Sequence, residues 1–190
     1  MDPEPSLLFI SFSDSFNYWL LLAGFSLFTL LVLSALVSGS EVAFFSLSQS
    51  DLNKAAESNS RKEKMVVALL EKPQKLLATI LIANNVINIL AVLIFAYLGE
   101  YFFRGVGSAL LKFLIEVILV TFLILLFGEV LPKVYASRNS LKFASFMAKP
   151  LTVTSALLSF VSLPLMSLTN VIEGSFGKKK SNISVEKLSQ

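Results

Sequence analysis

Residues 18–37 read YWLLLAGFSLFTLLVLSALV, 20 positions without a charged side chain. At about 1.5 Å of rise per residue, a helix of that length extends about 30 Å, the thickness of a bilayer's hydrocarbon core. Two further runs repeat the pattern. Leu76 to Leu98 is uncharged, interrupted by Asn84, Asn85 and Asn88, and Ala109 to Phe127 is apolar except for Lys112 and Glu116. Those two stand four positions apart, so they can form an ion pair on one helix face while Lys112 snorkels to the interface.

Composition agrees. Of 190 residues 55% are hydrophobic and only 15% charged, where soluble domains carry about 25%; mean hydropathy is +0.74. The fold class expected is an all-α membrane protein. With no Cys and no His, disulfide scaffolds, thiolate or imidazole metal sites and the common histidine- and cysteine-based catalytic schemes are excluded. No serine–lysine pair stands out, so an intramembrane hydrolase has no support and the chain is not expected to be an enzyme. Oxygen and amine ligands remain.

Net charge is only +3, but its placement orients the chain. Residues 1–17 hold Asp2, Glu4 and Asp14 and no basic side chain, and no basic region precedes the first run as a cleavable signal would require. The first connection carries Lys54, Arg61, Lys62, Lys64, Lys72 and Lys75; the second carries only Glu100 and Arg104; Lys133, Arg138, Lys142, Lys149 and Lys178 to Lys180 follow the third run. The positive-inside rule puts the N-terminus outside, the first connection inside and the C-terminus inside. A stretch from Phe143 to Ile172 is apolar but interrupted by Pro150 and Pro164. Each proline leaves a carbonyl one turn back without its donor, which lipid tolerates poorly. The expected layout is an extracytoplasmic segment over 1–17 and spans at about 18–48, 76–98 and 108–132. Cytoplasmic-side juxtamembrane helices fill 49–75 and 134–172, and 178–190 opens a longer cytoplasmic region. The basic groups enforce this topology and meet anionic lipid; nucleic acid is not an expected partner.

Polar residues enter the membrane at one level. Counted from the inner boundary at about 1.5 Å per residue, Ser38 lies roughly 15 Å deep, Asn84 roughly 12 Å, Asn88 roughly 18 Å and Glu129 roughly 13 Å. Such a level suits a hard cation, which takes oxygen ligands with one or two carboxylates and some water. Glu129 offers a carboxylate, Asn84 and Asn88 amide oxygens, and Ser38 and Ser40 hydroxyls. Gly39 is read as a break in the first helix. Pro132, lacking an N–H, releases the carbonyl of Gly128 from the helix ladder and breaks the third. Plainer roles stand beside these. Ser, Gly and Asn pack helices together, Glu129 can pair with Lys133 one turn on, and Glu41 can be a ligand or snorkel inward. An ionised side chain at the centre of a span costs at least ~2.5 kcal/mol, which weighs toward a functional glutamate.

The stretches Ser38-Gly-Ser-Glu-Val-Ala-Phe-Phe-Ser46, Leu76-Leu-Ala-Thr-Ile-Leu-Ile-Ala-Asn-Asn-Val-Ile-Asn88 and Phe127-Gly-Glu-Val-Leu-Pro-Lys133 with the trailing Ala136-Ser-Arg-Asn139 resemble the transmembrane domain of the CorC/cyclin-M family of magnesium transporters. The resemblance runs from about Leu31 to Gly177, with three motifs in order; Ala83 stands where the family usually has glycine. It implies a homodimer with three transmembrane helices per protomer, an external N-terminus and a cytoplasmic juxtamembrane belt. It implies export of Mg2+ driven by Na+. It also implies an ion site at Ser38, Asn84, Asn88, Gly128 and Glu129, with Ser40 a weaker candidate. Longer members carry a pair of CBS modules after the membrane domain. The function expected is therefore Mg2+ export across the cell's inner membrane; the competing reading is a dimeric, non-transporting anchor for cytoplasmic modules or a partner complex.

Overall fold

The computed structural model describes residues 18–158, so what is expected of 1–17, of Pro164 and the rest of 159–172, and of Lys178 to Gln190 lies outside the described residues. Seven α-helices and one π-helical segment follow in order: α1 Tyr18–Phe45, α2 Gln49–Glu57, α3 Arg61–Leu70, α4 Pro73–Phe102, α5 Ala109–Leu123, the π-helical segment Ile124–Val130, α6 Leu131–Arg138 and α7 Ser140–Leu157. Among the described residues three helices are long and apolar enough to cross a membrane: Tyr18–Phe45, Pro73–Phe102 and Ala109–Arg138. The chain is an all-α membrane protein.

Boundaries shift for local reasons. The second span starts at Pro73, because a proline's fixed φ and missing N–H suit the first helical turn; it runs past Leu98 until the Phe103 N–H closes on the Gly99 carbonyl at 2.9 Å. Neither expected break interrupts its helix. Gly39 stays inside α1, and what it allows is close approach: a Cβ there would lie 2.7 Å from the Phe143 ring and 3.3 Å from the Pro132 carbonyl oxygen. At Pro132 the third span continues to Arg138. The turns before it are π-helical, with the Leu131 N–H reaching five residues back to the Leu126 carbonyl, and the proline's missing N–H falls at the next position. Pro132 thus falls just where the π-helical segment ends and α6 begins. Pro150 likewise sits within α7, where it is exposed.

The core lies at one end. Val37, Ala43 and Phe44 of α1 pack with Val66 of α3, Leu76, Ile80 and Ala83 of α4, Ala136 of α6, and Ala144, Met147, Ala148 and Leu151 of α7. Helices α2, α3 and α7 thus form a belt around that end of the three spans. At the far end only Ala91, Phe95, Val120 and Ile124 make a small second cluster, and Trp19, Leu22, Phe25 and Phe28 of α1 stand exposed, as lipid-facing side chains do. There Lys112 and Glu116 form the expected pair at 3.8 Å, and Glu116 packs against Gly99 of α4, where a Cβ would make the glutamate side chain shift.

The belt begins with a capping box. Ser48 Oγ accepts from the Asp51 N–H at 3.2 Å, and the Ser48 N–H donates to Asp51 Oδ2 at 3.1 Å. The Ser48 hydroxyl, then its backbone N–H, hold the Asp51 carboxyl below its ordinary 3.8. A depressed carboxylate contributes stability that is complete above the unfolded value and lost as pH falls through the folded one. The start of α2 is therefore expected to stay closed down to pH about 4 and fray below it. The 13C shift of the Asp51 carboxyl, followed against pH, checks this; a midpoint at or above the unfolded value removes the cap's role.

Candidate functional site

Hydroxyls on the helices mostly turn back on their own chain. Thr29 donates to the Phe25 carbonyl, Ser40 to Leu36, Thr79 to Lys75 and Thr152 to Ala148, at 2.6–2.9 Å. Two buried serines of α1 do otherwise. Ser34 Oγ donates across to Asn88 Oδ1 of α4 at 2.7 Å and lies 3.3 Å from Asn84 Oδ1. Ser38, one turn on and 1% exposed, has a buried Oγ with no hydrogen-bond partner.

The third span completes the group. Asn88 Nδ2 donates to Glu129 Oε1 at 3.3 Å, so Asn88 bridges α1 and the π-helical segment. Gly128 lies directly against Ser34: a Cβ on it would sit 2.8 Å from Ser34 Oγ. The π-helical register puts both Gly128 and Glu129 in this layer. A π turn adds a residue without adding a turn and so rotates the following side chains relative to a regular helix.

The result is a layer with more acceptors than donors. Ser34 has one proton and two amide oxygens beside it, the Ser38 hydroxyl has none of its bonds made, and the Glu129 carboxylate receives one amide N–H. Among the described residues no basic side chain pairs with Glu129, because Lys133 Nζ donates instead to Glu41 Oε2 at 2.9 Å. The two plainer roles considered for Glu129 and Glu41 are thereby reassigned: the lysine belongs to Glu41. Surplus oxygen lone pairs around one uncompensated carboxylate, at membrane depth, make a place that a cation would complete. Among the described residues no three acidic groups converge, so a cation placed here would meet one carboxylate with neutral oxygens and keep some of its water.

Asn84, Asn88, Gly128 and Glu129 are brought together with Ser34, and Ser38 lies beside them on α1. Ser40, although buried, makes its hydrogen bond inside α1, and Asn85 points to the exposed side of α4. Ser34 is the residue that reading the sequence missed. Its signal was present: it precedes Ser38 by four positions and so shares its helix face.

Residues 25–190 match the family described as Cyclin M transmembrane N-terminal domain. The chain is 35% identical over 143 residues to the UPF0053 inner membrane protein YfjD of Escherichia coli, covering 74% of this chain and 31% of that protein. It is 34% identical over 162 residues to a UPF0053 protein of Haemophilus influenzae, covering 83% and 37%. With the metal transporter cnnm-4 of Caenorhabditis elegans it shares 33% identity over 147 residues, 75% and 30% of the two chains. The chain spans about a third of the length of these relatives. A match that covers most of its residues makes this chain a member of the cyclin M transmembrane family.

Proposed function

We propose that the chain forms the ion-translocating membrane part of a secondary transporter that exports Mg2+, coupled to Na+. The observation that carries the reading is the oxygen surplus around Glu129, with the unpartnered Ser38 hydroxyl beside it. Ser34, Ser38, Asn84, Asn88 and Glu129 are the ligand candidates; Gly128 lets α1 approach. Magnesium suits a site with one carboxylate, neutral oxygens and retained water. The cnnm-4 relative's description as a metal transporter supports the cation class.

The basic belt of α2, α3 and α7 faces the cytoplasm in this reading, with the N-terminus outside, and two copies make the functional unit in a cell (inner) membrane. Ligands drawn from three helices suit a site that alternates access by moving one helix against the others. The π-helical segment that carries Glu129 is the natural point of adjustment.

A second reading has its own observation. The bonds Ser34–Asn88 and Asn88–Glu129 already tie three helices together, which a non-transporting dimeric anchor would also need. Thermal unfolding of the purified chain against MgCl2, CaCl2, NaCl and KCl, followed by flux into liposomes, separates the two. Transport predicts a saturable rise in midpoint with Mg2+ that KCl at equal ionic strength does not reproduce. Equal responses to all four salts would leave the anchor.

A further inference from the structure

Lys133 follows Glu129 by four positions, the spacing at which opposite charges on one helix pair. Left to its own helix, that ammonium would sit at the one carboxylate of the oxygen layer. It goes elsewhere because α1 supplies a competing carboxylate. Three contacts set α1 and the third span in parallel register: Ser34 against Gly128, Gly39 against the Pro132 carbonyl, and Glu41 against Lys133. Gly39 is a point of close approach, since a side chain there would meet the Phe143 ring and the Pro132 oxygen. With α1 held that near, Glu41 Oε2 receives Lys133 Nζ at 2.9 Å.

We propose that Glu41 is a positioning residue that holds the Lys133 ammonium away from Glu129 and so keeps that carboxylate open to a cation. The inference rests on the oxygen layer being a cation site. Without Glu41, Lys133 becomes a tethered competitor, a positive charge that no dilution removes and that occupies Glu129 in place of Mg2+. The two side chains are 37% and 33% exposed, so the pair lies at the edge of the helix packing rather than in its core. What it changes is which carboxylate the lysine neutralises.

The test compares Glu41→Gln, Lys133→Gln and the double variant in the purified chain. Each is titrated with MgCl2 at constant ionic strength, and the unfolding midpoint reports binding. Glu41→Gln is expected to raise the half-saturating Mg2+ by roughly tenfold, the effect of a modest loss of free energy at the site. Lys133→Gln binds as tightly as wild type or tighter. The double variant returns to within about twofold of wild type, because the competitor is gone; a merely structural cost of the unpaired Lys133 would appear instead in the midpoint without Mg2+. Midpoints without Mg2+ establish that each variant folds. Equal weakening of Glu41→Gln and the double variant overturns the proposal, since Glu41 would then act on its own account. Wild-type affinity in Glu41→Gln overturns it too. If wild type itself shows no saturable Mg2+ response, the cation site falls and this inference with it; a wild-type response without loss in Glu41→Gln sinks the inference alone.

Discussion

Glu129→Gln is expected to abolish Mg2+-dependent stabilisation while leaving the helices folded. Glutamine keeps the size of the side chain and removes the only formal charge of the oxygen layer. At a Mg2+ concentration 100 times the dissociation constant, ligand binding raises wild-type stability by about 2.7 kcal/mol, and the variant loses that gain entirely. Without Mg2+ the order reverses or closes. Wild type holds a half-buried carboxylate with one amide N–H and no counter-charge among the described residues, and an ionised side chain at the centre of a span costs at least ~2.5 kcal/mol. The neutral variant should therefore unfold at or above the wild-type midpoint in metal-free buffer and below it in saturating Mg2+. An anchor in which Glu129 only joins helices predicts a lower midpoint for the variant in both buffers. Crossing curves support the site; parallel curves remove it.

Gly128→Ala carries the second large effect. Its Cβ would lie 2.8 Å from Ser34 Oγ and 3.3 Å from Ser34 Cβ, closer than packed atoms tolerate. The hydroxyl can escape only by turning from Asn88, which breaks the 2.7 Å hydrogen bond; the Cβ contact then still forces α1 outward. Overpacking of this kind costs about 1–3 kcal/mol, against about 1 kcal/mol gained from alanine's helix propensity, so the net change is a loss. Gly24→Ala is the control, because a Cβ there meets nothing within 4 Å; it should be neutral or slightly stabilising. Thermal midpoints of the two variants, with a Mg2+ titration of each, give the measurement. Gly128→Ala with wild-type affinity for Mg2+ would show that α1 takes no part in the site.

Much of this architecture could be read from residue order. Long uncharged runs have one stable outcome in lipid, a helix with all its backbone bonds internal, and so the three spans emerge within a few residues of their ends. The Lys112–Glu116 pair was legible for the same local reason: both partners lie on one helix, and spacing alone brings them together. The same spacing argument misleads for Glu129 and Lys133, because a second carboxylate reaches the lysine from another helix. Local rules also misplace the breaks. A glycine or proline that would end a helix in water is held in register here, where an unbonded backbone group has no solvent to turn to.

Hydropathy and charge spacing are thus enough for the number of spans, for the expectation of a polar layer, and for the choice of Asn84, Asn88 and Glu129 within it, since each is improbable in lipid without a partner. Packing decides the rest. That Ser34 rather than Ser40 meets the asparagines depends on how α1 is rotated against α4. That rotation is set by side chains far apart in the chain, the close contacts at Gly39 and Gly128 and the belt-end core around Phe44. The π-helical segment, the unpartnered Ser38 and the diversion of Lys133 to Glu41 follow from the same close approach. A residue's type and neighbours in sequence govern whether it can leave water; which atoms it then faces is a property of three helices together.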